Sequence, residues 1–156
     1  MAAASGIPWQ ERFADKVASA EEAVSVVRPG QRVFVGSGAA EPQDRVEALT
    51  ARTSIRDTEI VHILTLGVAM YAEPKFGEHF RHNAYFIGPN VRNAISEGRA
   101  DYTPIFLSEI PALFRTGRVV IDVALIQVSP PDEHGYCSYG VSTDIVKSAA
   151  ESARYV

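Results

Sequence analysis

The sequence predicts an α/β fold, a mostly parallel sheet flanked by helices. Three observations lead there. Short β-branched runs alternate with amphipathic or turn-rich segments along the chain, the pattern of strand–helix–strand units with right-handed crossovers. The most apolar run, Val119 to Val128, shows no polar alternation, as expected of a central strand covered on both faces. The length, 156 residues, suits one domain that buries roughly two-thirds of its unfolded surface.

The elements follow in order. Phe13, Val17, Ala20, Val24 and Val27 recur at three- and four-residue spacing and predict a helix over Trp9 to Val27. Arg28-Pro29-Gly30 ends it. Gln31 to Val35 reads as a strand, Gly36 to Glu41 as a turn, and Pro42 to Arg52 as a helix with proline in its first turn. Glu59 to Leu64 is a strand followed by an irregular stretch, Thr65 to Ala72. A helical turn or two spans Pro74 to Phe80. Ala84 to Ile87 is a strand, Gly88-Pro89-Asn90 a turn, and Val91 to Gly98 a helix. Tyr102 to Phe106 is a strand. Ser108 is the expected N-cap of a helix ending near Thr116-Gly117. After Val119 to Val128 come a turn-rich loop, Ser129 to Gly140, and a helix over Thr143 to Ser152. Residues 1–19 form an N-terminal helical segment and residues 20–156 the α/β domain. Ala153-Arg154-Tyr155-Val156 reads as the first residues of a further strand, as if the fold were truncated there.

A net charge of −4 excludes bulk attraction to nucleic acid or anionic membrane. A single cysteine, Cys137, excludes an internal disulfide framework and a multi-cysteine zinc site. The start lacks a basic region followed by an apolar one, and no apolar run approaches the roughly 20 residues that span a bilayer. These features predict a soluble, cytoplasmic protein.

Ligands in open α/β sheets sit beyond the carboxyl ends of strands, and three segments occupy such places. In the first, Gly36, Ser37 and Gly38 allow close backbone approach, and Pro42 and Gln43 open a helix with free N–H groups. Glu41 stands where a dinucleotide fingerprint wants glycine or alanine and would repel a pyrophosphate. A tight strand-to-helix turn and a ligand-contacting loop of another kind both remain open. The second segment, Phe86 to Asn93, offers Asn90 and Arg92. Arg92 suits a phosphate or carboxylate, or else a solvated helix face.

The third segment is the loop Ser129 to Gly140, with Pro130, Pro131, Asp132, His134, Gly135, Cys137, Ser138 and Gly140. Asp132, His134 and Cys137 mix hard and soft ligands and suit no common metal. A Cys137–His134 nucleophile pair lacks an orienting acid from another segment. The residue types fit best a shaped pocket wall, stiffened by two prolines and turned by two glycines. A purely structural loop with Cys137 as a small buried hydrophobe is the plainer reading. Elsewhere, His62 reads as a core residue, His79 and His82 as surface, and Asp122 as a paired structural acid inside its strand.

The stretches GSGAAEPQ (36–43), FIGPNVR (86–92), ADYTPIFLSE (100–109) and above all DVALIQVSPPDEHGYCSYGVSTD (122–144) resemble the acetyl-CoA hydrolase/transferase family. These are relatives of the class I CoA-transferases, and the 4-hydroxybutyrate CoA-transferase branch is the most similar. The resemblance runs from about Ala20 onward and implies the N-terminal half of a CoA-transferase-like α/β protein.

It further implies that a glutamate attacks an acyl-CoA and passes through an acyl anhydride to a glutamyl-CoA thioester, which a carboxylate acceptor or water then resolves. That glutamate belongs to the second half of family members, so this chain contributes no catalytic residue, and Glu41, Glu109 and Glu133 do not match its motif. No metal or other cofactor is implied; acyl-CoA and CoA are substrates. A small carboxylate, the C-terminal domain and a second copy in a homodimer are the implied partners. The three loop segments would face the acyl or CoA side of the cleft between halves. Gly67-Val68-Ala69 stands where some relatives carry a serine. The alternatives are an acetyl-CoA hydrolase of the same family and, in another class, a non-catalytic module that binds CoA or a partner chain.

Overall fold

The computed structural model describes residues 8–156; the part of the N-terminal segment over 1–7 lies outside the described residues. The helix expected over 9–27 is interrupted. Trp9–Arg12 forms a single turn, α1, followed by a 3-10 turn, Ala14–Lys16. Val17 is extended, and α2 (Ala20–Val24) starts afresh at Ser19. The Ser19 hydroxyl accepts from the Glu22 amide at 3.1 Å, and the Glu22 carboxylate accepts from the Ser19 amide at 2.9 Å. This reciprocal cap satisfies two free N–H groups and makes a new helix start cheaper than a continued one.

Five strands form one parallel sheet: β1 (Arg32–Val35), β2 (Thr58–His62), β3 (Phe80–Ala84), β4 (Ala100–Tyr102) and β5 (Val123–Leu125), in the order β4-β3-β2-β1-β5. Tyr155 pairs in parallel with Val123, so the terminal stretch that reads as a strand does add to the sheet beside β5. Four further helices are α3 (Gln43–Thr50), α4 (Arg92–Ser96), α5 (Ile110–Arg115) and α6 (Val146–Ser152).

Side chains alternate across the sheet and divide the core in two. Val33, Val35, Ile60 and Phe80 pack with Val24 of α2, Val46 and Leu49 of α3, and Tyr71. Phe34, Val61, Tyr85 and Ala124 pack with Ile110 and Phe114 of α5 and with Val146 and Ala149 of α6. Each fully buried large side chain contributes about 1.5–3 kcal/mol. Two helical layers on one sheet is the arrangement that parallel strands require, since neither face tolerates water.

Several boundaries differ from the sequence reading. β3 covers Phe80–Ala84 rather than Ala84 to Ile87. Its Arg81 and Asn83 point away from the first core and meet Asp101 and Glu59, which hides the strand in a polar sequence. This register turns His82, expected on the surface, fully inward. β4 ends at Tyr102, ahead of Pro104, which has no N–H for the ladder. β5 is only Val123–Leu125. Asp122 precedes it rather than lying inside, and its carboxylate accepts the Arg32 amide at 2.9 Å and lies 3.6 Å from the Arg154 guanidinium. The cap position of α5 is Glu109, not Ser108, and no side chain caps it.

Candidate functional site

The carboxyl ends of β1, β2, β3 and β5 lie side by side, and the loops leaving them are tied together. After β1, the Gly36 amide donates to the Leu125 carbonyl at 2.8 Å. A Cβ on Gly36 would lie 3.1 Å from the Ala40 carbonyl, so a larger residue would push that backbone outward by a few tenths of an ångström. Gly38, at φ +60°, donates to the Leu64 carbonyl at 2.7 Å and bridges Thr65. Pro42 is buried at the start of α3, and Gln43 is its first residue.

After β2, the chain passes Thr65 and Gly67. The Gly67 amide donates to the Glu41 carboxyl at 2.9 Å. After β3, the Asn90 amide donates to the Thr65 hydroxyl at 3.0 Å and to the Gly67 carbonyl at 3.0 Å. The three strand-end segments therefore meet around Thr65 and Gly67, neither of which stood among the expected site residues.

Beneath this junction lies a buried polar cluster. Glu41, Thr65, Tyr71, His62 and His82 are all buried. His62 Nε2 and the Tyr71 hydroxyl are 2.7 Å apart, and the His62 and His82 rings stack at 4.2 Å. Burial pushes the Glu41 carboxyl up, against the opposing pull of hydrogen bonds from Gly67, Gln43 and Thr65. Burial and then the nearby Glu41 push the Tyr71 hydroxyl up. Burial, with His82 beside it, pushes His62 well below the usual histidine range, and burial takes His82 down to about 4. Both imidazoles are neutral at pH 7. Among the described residues, Ser37 Oγ and Glu41 Oε1 are buried without a hydrogen-bond partner.

The loop after β5 is an exposed hairpin. Ser129 and Ser138 pair across it at 2.9 Å, as do Asp132 and Tyr136. The Asp132 carboxylate accepts the amides of His134 and Tyr136 at 2.8 Å each, and these bonds hold it below the usual carboxylate range. Arg12 donates to the Glu133 carbonyl, and the Phe13 ring lies beside Gly135. Pro130 and Pro131 open the hairpin and Gly140, at φ +66°, closes it. The base of the hairpin joins the β1 loop through the Ser142 hydroxyl, which donates to the Ser37 carbonyl at 2.7 Å.

Cys137 is exposed, which sets aside the plainer alternative of a small buried hydrophobe. The place this stretch has against the core is taken by Tyr139, which packs on the second cluster. Among the described residues, no group of three or more His, Cys, Asp and Glu side chains is placed to hold a metal ion.

Arg92 is the first residue of α4 and is exposed, with no ion-pair partner among the described residues. Around the strand ends stand apolar side chains left in water: Leu66 and Val68 after β2, Phe86 after β3, Phe106 and Leu107 after β4, and Val128, Tyr136 and Val141 after β5. Apolar side chains exposed together at one end of a sheet make that end a candidate surface for a ligand or partner. They follow the carboxyl ends of four strands, where a parallel sheet places its ligands. Among the described residues, no helix is long and apolar enough to cross a membrane.

Comparison with known proteins gives a consistent result. The family model for the acetyl-CoA hydrolase/transferase N-terminal domain matches residues 3–156. The chain is 47% identical over 149 residues to 4-hydroxybutyrate coenzyme A transferase of Clostridium kluyveri, covering 95% of this chain and 35% of that protein. It is 41% identical over 152 residues to a succinyl-CoA:acetate/propanoyl-CoA:succinate CoA transferase of Fasciola hepatica, covering 96% of this chain and 31% of that one. Among solved structures it is similar to 4-hydroxybutyrate CoA-transferase of Porphyromonas gingivalis, with TM-score 0.73, 35% identity, and coverage of 94% of this chain and 33% of that one. It is also similar to RipA of Yersinia pestis, with TM-score 0.85, 27% identity, and coverage of 96% and 37%. The chain spans about a third of the length of the curated relatives it matches.

Proposed function

The chain belongs to the acetyl-CoA hydrolase/transferase family, as its N-terminal domain, and from that premise we propose that it forms one wall of the site of an acyl-CoA:carboxylate CoA-transferase. The observation that carries the reading is the junction at the carboxyl ends of the sheet. Three glycine-bearing turns meet there, backbone and amide groups are fixed in place, and apolar side chains are exposed on the loops that leave the strands. A thioester of CoA with a small acid presents both an apolar acyl chain and a polar carbonyl, and the wall offers a surface for each. The relatives named as CoA-transferases support the reaction class.

In this reading the turnover residue is a glutamate carried by polypeptide beyond Val156. Its carboxylate attacks the acyl-CoA carbonyl and expels CoA thiolate. The thiolate attacks the glutamyl carbonyl of the resulting anhydride and releases the first acid. The acceptor carboxylate attacks the glutamyl-CoA thioester, and the thiolate expelled in that step takes the new acyl group and frees the glutamate. Nucleophilic catalysis of this kind splits one difficult transfer into easier steps. The oxyanions formed on the way need rigid donors. Gly36, Ser37, Gly38, Pro42 and Gln43 would line the acyl side of the cleft. Asn90 and Arg92 would face it from the β3 loop. The hairpin from Pro130 to Gly140, with Asp132, His134, Gly135, Cys137 and Ser138, would form its outer lip. The chemistry needs no metal or other cofactor, and an unpaired Cys137 suits a cytoplasmic, reducing setting. Assembly as a homo-oligomer would cover some of the exposed apolar side chains.

The test uses the full-length protein. It should consume an acyl-CoA only when an acceptor carboxylate is present, passing the CoA moiety to that acceptor with no free CoA accumulating. CoA release that is independent of the acceptor would make it the hydrolase of the family. Binding of acyl-CoA with neither reaction would make it a binding module.

A further inference from the structure

Among the described residues, Glu41 is the one carboxyl buried at the strand-end junction, and the glutamyl-CoA chemistry does not use it. It leaves the β1 turn one residue before the buried Pro42 and reaches across to the loop after β2. There one carboxyl oxygen accepts the Gly67 amide at 2.9 Å. No salt bridge to Glu41 exists among the described residues. A buried carboxyl without a cation persists only where its hydrogen bonds hold it, and each polar group left unpaired there costs free energy.

Gly67 completes the fit. A Cβ at that position would lie 1.8 Å from the Gln43 side-chain nitrogen and 2.4 Å from the Glu41 carboxyl oxygen. Residue 67 has no positive φ, so no left-handed strain bars alanine there, and the nearest atoms in its way belong to the side chains of Gln43 and Glu41. The same Gly67 offers its carbonyl to Asn90. One carboxyl thus joins the β1 turn to the β2 loop, and through Gly67 to the β3 turn.

We propose that Glu41 is a positioning residue of the acyl-CoA site, holding the strand-end loops in one arrangement through the Gly67 amide. It touches no reacting atom. Its effect on turnover runs through where Gly67 and Asn90 stand, and this part rests on the CoA-transferase reading. Burial favours the neutral carboxyl, so glutamine, of the same shape and uncharged, is the conservative replacement.

The experiment compares full-length wild type with Glu41→Gln, Glu41→Ala, Gly67→Ala and the Glu41→Ala/Gly67→Ala double variant. Steady-state CoA transfer gives kcat and KM, and amide hydrogen exchange is followed over residues 63–72. Misplacing a site by an ångström costs up to about 100-fold. The expected result is a fall in kcat of about 10- to 100-fold for Glu41→Ala and for Gly67→Ala, with KM within about threefold. The double variant should lose less than the product of the singles, because both break the Glu41–Gly67 contact and Gly67→Ala adds only the displacement of Gln43. Glu41→Gln should stay within about threefold of wild type, because its side-chain carbonyl can still accept the Gly67 amide.

Exchange over 63–72 should speed up in Glu41→Ala and Gly67→Ala and keep the wild-type rate in Glu41→Gln, while peptides in β1 and β5 stay unchanged. Multiplicative losses in the double variant, a glutamine variant as poor as alanine, or wild-type exchange in Glu41→Ala would each overturn the proposal. If wild type transfers no CoA, the CoA-transferase reading fails, and the exchange data alone decide whether Glu41 holds the loops.

Discussion

Acidification should destabilise the fold through the two buried histidines, and His82 sets the size of the effect. Its ring is buried, its Nδ1 lies 2.9 Å from the Ile60 carbonyl, and the His62 ring stacks on it at 4.2 Å. The groups facing it are His62 on β2, the Tyr71 ring at 5.4 Å, and the Asp101 carboxylate on β4, which favours protonation but does not offset burial. In the unfolded chain the ring takes up a proton near pH 6.5; in the fold it does so only near 4. The unfolded state therefore binds more protons throughout that window, and stability rises with pH across it.

Each tenfold rise in proton activity across that window favours the unfolded chain by about 1.4 kcal/mol, so His82 alone removes about 3 kcal/mol as pH falls from 6.5 to 4. His62 acts with the same sign. The assay is urea unfolding followed by far-ultraviolet circular dichroism at a series of pH values, for wild type and for His82→Asn. The variant keeps a donor for Ile60 and loses the titration. Carboxylates titrate equally in both, so the difference in slope isolates the ring. Wild type should lose about 3 kcal/mol more than the variant across the window. Equal slopes, or a wild type less sensitive to acid than the variant, would refute the neutral buried ring.

Three other outcomes follow from the same geometry. Asn90→Asp replaces a donor by an acceptor facing the Thr65 and Gly67 carbonyls. With two hydrogen bonds lost on a partly exposed group it should cost about 1–2 kcal/mol at pH 7. That carboxyl would titrate above its unfolded value, so the deficit should shrink below pH 4, which thermal unfolding at the two pH values checks. Arg52 donates to the Val24 and Val27 carbonyls at the end of α2, and Arg52→Ala should cost about 1–2 kcal/mol by urea unfolding, while turnover per folded molecule is unchanged. Pro131→Ala with Asp132→Ala loosens the exposed tip of the hairpin, away from Tyr139, which packs on the core. In the full-length protein it should lower CoA transfer by a larger factor than it lowers the folded fraction measured by circular dichroism.

The sheet was legible where apolar residues and turn chemistry agree. Val33 to Val35, followed by Gly36-Ser37-Gly38 and then Pro42, marks β1, its tight turn and α3 without help from packing. β3 was displaced by four residues because Arg81 and Asn83 are satisfied by Asp101 and Glu59 on neighbouring strands, a pairing that only the register creates. The Ser19/Glu22 cap was written in the sequence as Ser-x-x-Glu and was overridden by a longer periodicity. In the site, the glycine turns and the loop after β5 were read from local composition. The roles of Glu41, Thr65, Gly67 and the His62–His82 stack were not, because they lie in contacts across 9 to 26 residues of sequence and no local pattern announces such contacts.

The most direct measurement is hydrogen exchange on the full-length protein with and without acyl-CoA. Slower exchange is predicted over 36–43, 63–69, 86–93 and 129–140, the loops at the carboxyl ends of the strands, with no change over 28–31, 77–79 and 117–121 at the opposite end. Protection confined to that opposite end, or absent from all four loops at saturating acyl-CoA, would contradict the account.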